Sequence, residues 1–110
     1  MNRLQIAEDF LYDAVNNEMS SHSREDVAFN AGYLFALEAL PSSFTGKLEH
    51  PSDLVITVAA RYLCVDIAVM QPALTFIREQ YSLERDGHNV DALLTWALLM
   101  KRRSSNERQG

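Results

Sequence analysis

Apolar positions along this chain recur at the three- and four-residue spacing of an amphipathic helix, not at the alternation of a strand. Leu4, Ala7, Leu11, Ala14 and Val15 share one stripe with Phe10 beside it, while Glu8, Asp9, Asp13 and Asn16 fall elsewhere; a first helix is predicted over about residues 3–19. Asn16, Asn17, Ser20 and Ser21 then loosen the pattern. Ser23-Arg24-Glu25-Asp26 has the form of a capping box and opens a second helix over about residues 24–40. Val27, Ala31 and Leu34 make one row of that helix and Ala28, Phe35 and Ala39 another, with Tyr33, Leu37 and Leu40 broadening the stripe. A helix apolar on so much of its circumference is either central in a bundle or covered by a second chain. Gly32 in its interior is less favourable than alanine by about 1 kcal/mol, so it marks either a close helix crossing or a tolerated glycine.

Pro41 ends the second helix, and the segment through Pro51, with two prolines and a glycine, reads as a loop. Pro51 or Ser52 opens a third helix of about 20 residues, filled by Leu54, Val55, Val58, Ala59, Tyr62, Leu63, Val65, Ile67 and Met70. This most apolar segment is expected to be the central helix, and Gln71-Pro72 to break it. A short helix over about residues 72–82 and a last one over about residues 90–103 follow, joined by a turn at Arg85–Asn89. The fold class is all-α: a compact, up-and-down bundle of about five helices.

Domain organisation follows from length and charge. A chain of 110 residues is one domain, with residues 1–100 forming the bundle. The tail KRRSSNERQG carries Lys101, Arg102, Arg103 and Arg108 against Glu107, a net of +3 within a formal total of −5. It is expected to be frayed or disordered, and it reads either as a solvated helix end or as a basic arm for RNA or a partner. The body, with 6 basic and 14 acidic residues, is at −8, which disfavours nucleic-acid binding by the folded part. No long apolar run and no signal pattern in MNRLQIAEDF point to a membrane or export, so a cytoplasmic protein is expected.

Few residues carry candidate chemistry. Asp66 lies in the apolar run Tyr62-Leu63-Cys64-Val65-Asp66-Ile67-Ala68-Val69, with Tyr62 one turn earlier. Asp66 reads either as a general base or the anchor of a polar pocket for a small molecule, with the Tyr62 hydroxyl in reach, or as a charge at the solvent edge of the helix or in a structural buried pair. Cys64 is expected to be a buried small hydrophobe, because no neighbouring base lowers its pKa. His22, His50 and His88 fall in loops or at helix starts without metal-ligand spacing, so neither a metal nor a cofactor is expected. Large side chains such as Trp96, Phe29, Tyr33 and Phe35 read as core, but any left exposed on the second helix would mark an interface, for which Phe29, Tyr33 and Leu37 are the candidates.

The second helix, from Ser23 through Asn30-Ala31-Gly32-Tyr33 to Leu40, is rich in alanine and aromatics, and His50-Pro51-Ser52 opens the third. In these features, and loosely in Tyr81-Ser82-Leu83-Glu84-Arg85, the chain resembles the HEPN superfamily of small cytosolic helical bundles. Ribonuclease members of that family carry an arginine followed by four to six residues and a histidine. Here Arg85 is followed by His88 after only two. The resemblance therefore implies a non-catalytic member, acting as a dimeric binding module or a nucleotidyltransferase partner, and transfers no catalytic residue. A homodimeric protein–protein interaction module is the expectation, with a HEPN-type RNA-processing toxin as the alternative.

Overall fold

The computed structural model describes residues 2–16, 18–40, 52–79 and 89–109, with backbone only for 106–109. Among the described residues the chain forms five helices: α1 (Arg3–Ala14), α2 (Ser21–Ala39), α3 (Asp53–Tyr62), α4 (Ile67–Glu79) and α5 (Val90–Gln109). The all-α bundle is as expected. The radius of gyration is 13.1 Å, close to the roughly 13 Å of a folded chain this long. The predicted loop at 41–51, with Phe44, Leu48 and His50, lies outside the described residues, as does 80–88 with Arg85 and His88.

Local side-chain bonding sets most helix ends. Asn2 caps α1 by accepting the Gln5 N–H at 2.8 Å. The helix stops five residues short of expectation, where the Asn16 side chain turns back to accept the Glu18 N–H at 3.0 Å. Ser20, not Ser23, caps α2: its hydroxyl oxygen accepts the Ser23 N–H at 3.1 Å, so the helix starts earlier than the capping box suggested.

The expected long third helix is two helices, and the break comes before Pro72. Leu63 ends α3, and Cys64 takes a left-handed conformation at φ 56°. The Cys64 N–H bonds to the Arg61 carbonyl at 3.2 Å and the Val65 N–H to the Ala60 carbonyl at 2.8 Å. That paired pattern is a Schellman stop, built here on cysteine where glycine is usual. Asp66 then restarts the chain by accepting the Ala68 N–H at 2.8 Å. Pro72 lies inside α4.

The core is centred on α2, not on the third helix. Ala28, Phe29, Ala31, Gly32, Tyr33, Phe35, Ala36 and Leu37 of α2 are all buried. Its broadest packing is against α5 and α1. Phe29 stacks on Phe76 of α4 at 4.4 Å between centroids and on Trp96 of α5 at 5.8 Å. A Cβ added at Gly32 would fall 2.3 Å from Trp96 Cζ3. The glycine is therefore the seat of the indole, which settles the two readings in favour of a close crossing.

Two contacts fix the direction of α5. Glu25 meets Asn89 and, seven residues further along each helix, Gly32 meets Trp96, so α2 and α5 run parallel. Arg3 with Glu38 at one end and Arg24 with the Ala14 carbonyl at the other set α1 antiparallel to α2. The tail expected to fray continues α5 through Gln109, with Ser104 fully buried, so no domain boundary falls at residue 100.

Candidate functional site

The residues singled out from the sequence fall into three groups. Phe29, Tyr33 and Leu37, the interface candidates, are only 2%, 6% and 5% exposed. They are the core of a single chain, and that assignment is corrected: the breadth of apolar surface on α2 is explained by its central position. Tyr33 also has a polar task. Its hydroxyl accepts the Ser52 N–H at 2.8 Å, and Ser52 caps α3 in turn. Burial pushes the Tyr33 pKa above the usual value, opposed in part by that N–H.

The Tyr62–Asp66 pair does not line a buried pocket. Both residues are exposed, Tyr62 ends α3, and the Asp66 carboxylate is the cap of α4. The discomfort of a charge in an apolar run is relieved by a turn that places it in water. Cys64, expected to be buried, is exposed for the same reason.

The basic cluster is divided. Lys101 Nζ sits 3.0 Å from Glu8 Oε2 of α1, whereas Arg102 and Arg103 are exposed on α5. His22 lies exposed in the first turn of α2, and no metal-ligating cluster occurs among the described residues. No described helix is long and apolar enough to cross a membrane.

Sequence reasoning missed Glu25. It sits in the run read as a first-turn acidic group, yet it is 1% exposed. Its Oε2 accepts the Asn89 N–H at 2.8 Å. A carboxylate on α2 thus closes the start of α5, where free N–H groups and the helix dipole favour negative charge.

The surface feature that stands out is apolar. Tyr12 is 76% exposed, Val15 54% and Leu98 49%. The Glu8–Lys101 pair joins the antiparallel α1 and α5, and one turn away along each helix come Tyr12 and Leu98. Tyr12 and Val15 also line a shallow groove with Asn16 and Glu18. Leu54 at the start of α3, and Tyr62 and Ile67 on either side of the α3–α4 turn, are exposed as well. Isolated exposed apolar side chains are ordinary, but neighbouring ones on one face are the mark of a contact surface. Comparison with protein families, with curated proteins and with solved structures finds no match.

Proposed function

We propose that this chain is a non-catalytic helical protein–protein interaction module that associates with a second copy of itself. The observation that carries the reading is the exposed apolar side chains at α1 and α5: Tyr12, Val15 at the end of α1, and Leu98 all face solvent. The large side chains of α2 are inside, so the outer helices supply the surface for self-association. The family resemblance of the second helix points the same way, because the members it implies act as dimeric binding modules.

Size-exclusion chromatography with light scattering tests the proposal. The expected mass is twice 12.5 kDa. Replacing Tyr12 and Leu98 together by serine is expected to lower the mass to that of one chain while leaving the helical circular dichroism intact. A wild-type chain that stays at the mass of one copy at high concentration refutes it.

A further inference from the structure

The geometry points to a particular partner arrangement: two copies pair through α5, antiparallel about a twofold axis, with Asp91 of each chain against Arg102 of the other. The inference rests on the proposed self-association and says how it is built. Asp91, Thr95, Leu98 and Arg102 are all exposed and follow one another at steps of four, three and four residues. That spacing puts them on one line of a helix. The opposite side of α5 carries Leu93, Trp96, Ala97, Met100 and Ser104, all buried. The line therefore points straight out of the bundle.

Its chemistry is self-complementary. An acid stands at one end, a base at the other, and Thr95 and Leu98 lie between them. Asp91 and Arg102 are separated by about 16 Å along the axis. Neither makes an ion pair with another described residue. In an antiparallel pair centred between Thr95 and Leu98, Asp91 of each chain meets Arg102 of the other, and Leu98 meets Thr95, each contact made twice. A parallel pair would set acid on acid and base on base. The Thr95 hydroxyl already donates to the Asp91 carbonyl at 2.9 Å, so it brings no unpaired donor to the seam.

The helix dipole does not account for both charges. Asp91 is in the first turn of α5, where a carboxylate is favoured. Arg102 is far from the last turn of a helix that runs to Gln109, beyond the reach of the terminal dipole. The half-buried Leu94 and Leu99 flank the line, and Tyr12 of the neighbouring α1 is exposed as well. A seam of one helix pair with these flanks belongs at the small end of stable interfaces, near about 1,200 Å² in total. Its dimer is accordingly expected to dissociate on dilution.

Sedimentation equilibrium across a dilution series, with wild type, Asp91→Arg, Arg102→Asp and the double exchange, decides the matter. Each single exchange sets two like-charge contacts into the seam and is expected to raise the dimer dissociation constant by about tenfold or more. The double exchange restores opposite charges and is expected to return it to within about threefold of wild type. Arg102→Gln, which cannot disturb the first turn, is the second variant: it is expected to weaken the dimer and to remove most of its salt dependence. A wild-type dimer indifferent to both single exchanges and to Arg102→Gln overturns the seam but leaves self-association standing. A double exchange that stays as weak as the singles, at wild-type helicity and melting temperature, also overturns it. A wild-type monomer overturns both proposals.

Discussion

Gly32→Ala is the sharpest probe of the packing that fixes α2 against α5. By intrinsic propensity the change should help, because alanine is favoured over glycine inside a helix by about 1 kcal/mol. The added Cβ, however, lies 2.3 Å from Cζ3, 2.5 Å from Cε3 and 2.9 Å from Cη2 of Trp96, against an ordinary contact of 3.4–4 Å. The ring must therefore retreat by about an ångström, and it is a rigid, fully buried plane stacked on Phe29. Overpacking of this kind costs about 1–3 kcal/mol, and a displacement this large belongs at the upper end. With the propensity gain subtracted, a net loss of about 2 kcal/mol is expected, or roughly 10 °C in melting temperature. Urea unfolding followed by circular dichroism gives the free energy directly. Trp96→Phe removes the atoms that clash and an indole Nε1 that has no hydrogen-bond partner among the described residues. The alanine is expected to cost less in that background, a coupling of about 1 kcal/mol or more. A Gly32→Ala chain as stable as wild type, or equal losses in both backgrounds, refutes the reasoning.

Further expectations follow from the turn between α3 and α4 and from Tyr33. Cys64 holds a left-handed conformation that costs an L-residue about 1–2 kcal/mol, so Cys64→Gly, despite its added unfolded-state entropy, is expected to stabilise the chain by about 0.5–1 kcal/mol in the same urea assay; a loss would refute the Schellman stop. Asp66→Ala removes the α4 cap and is expected to cost about 1 kcal/mol, while Asp66→Asn, an equally good cap, is expected to cost little; equal losses would mean that the charge, not the cap, is what counts. The buried Tyr33 holds its proton above the ordinary value of 10.0. The contribution of Tyr33 to stability is therefore expected to be level below that pH and to fall above it, as the unfolded chain ionises first. Tyr33→Phe should flatten the alkaline fall while losing about 1 kcal/mol at neutral pH with the Ser52 contact, and an unchanged alkaline profile would count against burial as the cause.

The helical fold was legible because periodicity is repeated over many residues, and repetition averages out local exceptions. Boundaries were less so, because single polar side chains set them. Asn16 and Ser20 both offer an oxygen to the backbone, and only the geometry of the chain around them decides which bond forms. The split of the third helix was hidden for a different reason. Its stop is a backbone conformation that usually announces itself as glycine, and here a cysteine adopts it. Without that stop, Asp66 looked like a charge in trouble, when it is a cap. Glu25 shows the opposite failure: an acidic residue in a first turn looks ordinary, and its partner, Asn89 at the start of α5, stands 64 residues later in the chain. Composition and spacing carry no record of such a pairing.

The apolar surface of α2 is broad, but small residues on that helix let its neighbours cover it. Gly32, Ala28, Ala31 and Ala36 let neighbouring helices approach closely enough for Phe29, Tyr33 and Phe35 to be enclosed on several sides. A central helix with bulky residues at those positions would have held its neighbours apart and left apolar surface uncovered. The outer helices have no such relief. α5 buries Leu93, Trp96 and Met100 on one side and still turns Leu98 outward between two opposite charges. An exposed leucine alone is unremarkable. One framed by an acid seven residues before it and a base four residues after it on the same line finds, in the proposed pairing, opposite charges at both ends across a twofold axis. The proposed seam therefore lies on α5, with the buried α2 as its support.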